Sequence, residues 1–114
     1  MARDDGELLP GTFDMLILKA VSLGAMHGWG IAQRIERLSG EVFVVQQGAV
    51  YPVLQRLRRQ NLVVTEWRAT ELGRRARYYE LTAAGRRRLD SETAWWRRAT
   101  DGVERVLRAA PQEA

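Results

Sequence analysis

The chemistry available to this chain is concentrated in one stretch, QQGAVYPVLQRLRRQNL, residues 46 to 62. Arg56 and Arg59 carry forked guanidinium donors that match a guanine edge or a phosphate, and Gln55 matches an adenine edge. Tyr51 can give its hydroxyl to a phosphate oxygen. Gln47, Gly48 and Pro52 lie at the start of the same stretch, where a glycine permits close approach and a helix N-terminus attracts phosphate. A second set, Arg74, Arg75 and Arg77, follows in GRRAR, which suits contact with a nucleic-acid backbone or minor groove. Such contacts bind but specify little.

The charge is distributed unevenly. The 114 residues carry a formal net charge of +4, yet residues 46 to 88 hold ten arginines against Glu66, Glu71 and Glu80, a balance of +7, leaving −3 for the rest. A polyanionic partner accounts for that asymmetry, and so does a solvated face in a chain where seventeen of eighteen basic residues are Arg. Charge alone does not decide between them.

Other chemistries are poorly supplied. Without cysteine there are no disulfides, thiolate metal sites or cysteine nucleophiles, which fits a reducing interior. His27 is the sole histidine, so metal chemistry is nearly excluded. It reads as a hydrogen-bonded turn residue rather than a pH switch. No triad, phosphate-cradling glycine loop or paired-carboxylate site stands out, and Asp4 and Asp5 fall in a stretch expected to be mobile. We expect a non-enzyme without cofactor. No run approaches a membrane span, and the acidic start is unlike a signal peptide, so the expected location is cytoplasmic.

Hydrophobic period sets the elements that carry these residues. Phe13, Leu16, Ile17, Ala20 and Val21 mark one face of a first helix with Thr12 as N-cap and Gly24 as its close. A second helix runs from about Trp29 to Leu38, with Ile31, Ile35 and Leu38 inward and Ser39-Gly40 ending it. Val42 to Val45 reads as a short extended segment. In the third helix Val50, Val53, Leu54 and Leu57 face inward; a start near Gly48 places Pro52 in the first turn, and Asn61 is the left-handed stop. Residues 62–69 and 75–81 form a β-hairpin around Gly73, on which Tyr79 and Leu81 face the core and Trp67 packs across the hairpin. Thr82 caps a last helix to about Ala109, whose Arg86, Arg87 and Arg88 are equally suited to phosphate contact or to a solvated face. The fold class is mainly α (α+β): a winged helix-turn-helix with a long C-terminal dimerisation helix. Residues 1–82 form the winged domain, with 1–9 flexible, and 83–114 the helix and tail.

Three ordered motifs then carry a resemblance. LPGTFDMLILKAVSLGAMHGWGIAQRI, QGAVYPVLQRLRRQNLV and EWRATELGRRARYYELTAAGRRRL resemble the PadR-type transcriptional regulators over about residues 8 to 89. Trp29 stands where that family usually has Tyr, and Asn61 where Gly is usual; both keep the physical role. The resemblance implies a bacterial winged-helix repressor of the short subgroup, dimeric through one C-terminal helix, which leaves its operator when an effector arrives.

The last helix supports such pairing on its own pattern. Leu89, Trp96, Val103 and Ala110 recur every seven residues, and Trp95, Ala99, Gly102 and Val106 run alongside. Across a two-fold axis, Trp95 and Trp96 would either line a flat pocket for a planar or cationic apolar small molecule or form the dimer core. The expected partners are therefore double-stranded DNA carrying an inverted repeat, a second copy of the chain, and that ligand. Two rival readings remain, a winged-helix protein-interaction module and a non-specific nucleic-acid-binding protein.

Overall fold

The computed structural model describes residues 11–114, so the expectation for residues 1–9 lies outside the described residues. The first helix, α1 (Thr12–Ser22), buries Met15, Ile17, Leu18, Ala20 and Val21. Phe13 and Leu16 are only partly buried at the margin of the core. Thr12 lies inside the helix, and Gly11 occupies the cap without a side-chain bond. Gly11, with φ 88°, takes the non-helical position expected of Thr12, because the helix starts one residue earlier.

Helix α2 (Gly28–Leu38) begins with His27, whose Nδ1 accepts the Gly30 N–H at 3.0 Å. His27 is thus the hydrogen-bonded turn residue that its position suggested. Ile31 and Ile35 enter the core, but Leu38 is exposed, because the chain turns away through Ser39, Gly40 and Glu41 just beyond it. Residues 42–45 form no strand: Val42 and Val44 are exposed, and the Phe43 N–H goes to Ser39 Oγ. The edge of the sheet is taken instead by Met26, which exchanges both backbone hydrogen bonds with Tyr79 at 3.2 and 2.9 Å.

Helix α3 (Gln47–Arg59) buries Val50, Val53, Leu54 and Leu57. Pro52 is its sixth residue, in the second turn rather than the first, so the Gly48 carbonyl loses its usual helical donor. Both residues are exposed, which leaves that carbonyl open to water. The helix ends as Asn61 adopts φ 61°, with Leu62 N–H donating to Leu57 O and Asn61 N–H to Arg58 O, a Schellman stop.

Strands β1 (Val63–Ala69) and β2 (Arg75–Leu81) pair antiparallel, with Val63 opposite Leu81, Thr65 opposite Tyr79 and Trp67 opposite Arg77. Thr82 caps the final helix, α4 (Ala83–Arg108): its Oγ1 accepts the Gly85 N–H at 2.9 Å and donates to Asn61 O at 2.8 Å. Gly85 is required there, since a Cβ would run into the Leu62 carbonyl. Of the 26 residues of α4 only Gly85 and Leu89 are buried. Leu89, expected at a dimer interface, sits 4% exposed in the core against α1, because α4 crosses that helix early and then leaves it. A short 3-10 turn follows at Pro111–Glu113.

Candidate nucleic-acid interface

The first turn of α3, the start of α2 and the tip of the hairpin converge. Gln47, Tyr51, Arg74 and Arg75 line one depression of about 270 Å³ together with His27, Trp29 and Leu72. Gln47 Nε2 donates to the Tyr51 hydroxyl at 3.1 Å, which aims both at the same space. Gly28 makes this convergence possible: a Cβ there would stand 2.6 Å from the Tyr51 ring. Gly48 faces open space, with nothing within 4 Å of an added Cβ, so an outside surface can approach its backbone.

Pro52 and Arg59 are exposed on α3, and Gln55 is half-buried on the same helix. Arg56 departs from the expectation of a free base-edge reader. Its guanidinium is held by both carboxylate oxygens of Asp14 in α1, and the hydrogen bonds to Asp14 raise its pKa above the ordinary arginine value. The arginine therefore ties two helices together. Nothing local in the sequence marks this, since Asp14 lies 42 residues away.

On the hairpin, Arg74 stands in the turn closed by Gly73 N–H to Thr70 O at 2.9 Å. Arg75 and Arg77 stand over the Trp67 ring, with guanidinium carbons 5.6 and 5.3 Å from its centroid. Trp67 is 54% exposed, so it covers the outer end of the hairpin rather than filling the core. On the opposite face Arg68 lies over Tyr78 at 5.2 Å and meets Glu66 at 3.4 Å. Tyr79, across from Thr65, is buried as expected; burial pushes its hydroxyl above the ordinary tyrosine value, with Arg77 pulling the other way.

Trp29 was not anticipated in this set. The signal was present, because Ile31 and Ile35 fix the inward face of α2 and leave Trp29 pointing outward.

At the far side, Trp96 lines a cleft of about 600 Å³ between α1 and α4 with Met15, Leu16, Lys19 and Arg86. Trp95 lies outside that lining, 60% exposed, with Arg98 over its ring. Val103 and Val106 are exposed further along α4, and Ala99 is partly buried. Arg87 and Arg88 are exposed. Among the described residues no cluster of three or more His, Cys, Asp or Glu could hold a metal ion. No helix described is long and apolar enough to cross a membrane.

Three packed helices, a basic two-stranded wing and an exposed third helix define a winged helix-turn-helix protein of the kind that binds DNA. The chain belongs to the PadR-like family of transcriptional regulators, whose family model matches residues 17–91. Among solved structures, a PadR-like transcriptional regulator of Bacillus cereus superposes with a TM-score of 0.76 at 23% identity, covering 88% of this chain and 95% of that one, a likeness of fold. A PadR family transcriptional regulator of Eggerthella lenta gives 0.73 at 27% identity, covering 88% and 85%. An uncharacterized protein of Lysinibacillus sphaericus is 25% identical over 96 residues, 84% of this chain and 86% of that protein. Regulators of this family bind DNA and act on transcription, and this chain carries their fold over most of its length.

Proposed function

We propose that the protein is a homodimeric transcriptional repressor that binds an inverted-repeat operator and is released by a planar apolar effector at the dimer interface. The observation that carries the DNA reading is the convergence of Gln47, Tyr51, Arg74 and Arg75 on one depression beside the exposed face of α3. In it, Gln55 and Arg59 read base edges, while Tyr51 and the wing arginines hold phosphate. Gln47, Gly48 and Pro52 form the end of α3 nearest the backbone.

The dimer reading is supported by the distal half of α4, where Trp95, Val103, Val106 and Leu107 are exposed on a helix on the order of 39 Å long at 1.5 Å per residue. The apolar stripe from Trp95 to Leu107, roughly 18 Å long, is stabilised by burial against another copy. The effector reading is supported by the cleft at Trp96. Its lining carries Lys19, Arg86 and Arg97 against Asp90, so a flat ring suits it better than a positive charge. Effector binding must differ between the DNA-bound and released dimer for any shift to follow.

Selection of bound fragments from random duplex DNA tests the reading. A palindromic motif with half-sites about one helical turn apart, or a multiple of it, is expected. Retention without a motif and with steep salt dependence would replace it with general nucleic-acid coating. No retention would replace it with a protein-interaction module.

A further inference from the structure

We infer that Trp67 is a positioning residue of the wing: its indole holds the Arg75 and Arg77 guanidiniums in place, uncompensated, for a phosphodiester backbone. The inference rests on the DNA-binding reading above and adds to it a residue whose own side chain carries no charge.

The register places the three on one face. Trp67 pairs with Arg77, and Ala69 with Arg75, so both arginines project on the Trp67 side of the hairpin. Their guanidinium carbons lie 5.3 and 5.6 Å from the ring centroid, within the reach of cation–π attraction. An exposed tryptophan at 54% is otherwise poorly explained. It adds nothing to the core, which ends at Val63 and Tyr79 on this face.

The opposite face supplies the contrast. There Arg68 also stacks on an aromatic ring, that of Tyr78, but Glu66 stands 3.4 Å from it and offsets its charge. Among the described residues no carboxylate lies within 4.0 Å of the Arg75 or Arg77 nitrogens. The difference is functional. A carboxylate that steadies an arginine also occupies its donors and cancels its field. An indole face steadies the guanidinium while leaving its charge intact; Arg77 also lies beside the Tyr79 hydroxyl, a neutral acceptor that leaves the charge uncancelled and the remaining in-plane N–H groups for phosphate oxygens. Two long side chains that are already ordered lose less rotamer entropy when they meet the backbone.

The experiment has one arm without DNA and one with it. In the free protein, NMR of the arginine side chains is expected to show the Arg75 and Arg77 Hε resonances shifted by the ring current of Trp67. The shift should collapse in Trp67→Leu and persist in Trp67→Phe. With duplex DNA, Trp67→Leu is expected to weaken binding about fivefold to tenfold on all sequences, from two newly mobile side chains. Trp67→Phe should stay within about twofold of wild type, since its ring still steadies both guanidiniums. The salt slope should not change in either variant, because both charges remain; the double variant Arg75→Ala, Arg77→Ala should instead lower it by about four, two for each subunit of the dimer.

Unshifted Hε resonances in wild type overturn the inference. So does a Trp67→Leu variant that binds DNA as wild type does, or one whose salt slope falls like that of the arginine double variant. If wild type retains no duplex at all while the Hε shifts are present, the DNA-binding reading has failed and the role given to Trp67 falls with it. Equal melting temperatures of Trp67→Leu and Trp67→Phe separate positioning from wing unfolding.

Discussion

Arg56 in α3 grips Asp14 in α1 with both ends of its guanidinium, Nη2 to Oδ1 at 3.0 Å and Nη1 to Oδ2 at 2.5 Å. The fork-to-fork geometry is the strongest form an ion pair takes, but Arg56 is 42% exposed, so solvent screens it. Asp14→Ala is therefore expected to cost about 1 kcal/mol, which lowers the melting temperature by about 4–8 °C for a domain of this size. Arg56→Ala should destabilise comparably and leave the salt slope of DNA binding unchanged. A slope reduced by about two, one for each subunit, would mean that Arg56 leaves Asp14 to meet a phosphate.

Two glycine-to-alanine changes on helices should separate folding from binding. Gly85→Ala drives a methyl into the Leu62 carbonyl and the Leu81 side chain, so it is expected to destabilise by about 1–3 kcal/mol although alanine favours helix. Gly48→Ala meets nothing within 4 Å, so thermal stability should hold or rise while DNA affinity falls. Thermal melts and binding isotherms of the pair check this; a Gly48→Ala protein that binds normally would remove Gly48 from the interface.

Burial raises the Tyr79 pKa above 10.0, so the folded state holds that proton more tightly than the unfolded chain does. Stability from this group is fully present below the unfolded value and is lost as pH rises through the folded value. Chemical denaturation between pH 9 and 12, roughly bracketing the ordinary tyrosine range, should show an alkaline loss of stability that Tyr79→Phe reduces.

The two adjacent tryptophans should behave differently towards ligands. Trp96 lines the α1–α4 cleft and Trp95 does not. A planar anionic dye is expected to quench fluorescence at micromolar concentration, with quenching abolished in Trp96→Ala and largely kept in Trp95→Ala. A matched planar cation should bind less well, given Lys19, Arg86 and Arg97 in the lining. Equal quenching in both variants would place the ligand elsewhere.

What could be read from the sequence was decided by local chemistry. Asn61 ends α3 because a short polar side chain tolerates the left-handed conformation, and Thr82 starts α4 because its hydroxyl reaches a backbone N–H three residues on. The hairpin around Gly73 follows from the same kind of signal. Leu38, Leu89 and Arg56 were misplaced because their surroundings come from other elements. Helical period gave Leu38 an inward face but not the turn that leaves it bare, and Asp14 chose Arg56 from across the fold. Residues 42–45 have the composition of a strand, but a strand needs an edge, and Met26 already holds the one β2 offers. The depression at the wing was half legible: its arginines announced themselves, while Trp29 was legible only as an outward residue of α2.

Thr82 has a mechanical consequence. One hydroxyl accepts from the start of α4 and donates to the carbonyl at the end of α3, so the two helices share a single joint. Beyond Thr100 every residue of the last helix is exposed, and it projects as a beam. At 1.5 Å per residue its tip lies on the order of 39 Å from the joint, and a tilt of about 5° sweeps that tip through about 3 Å. Leverage of this kind runs both ways: a displacement imposed at the far end returns to the third helix as a small, geared-down rotation.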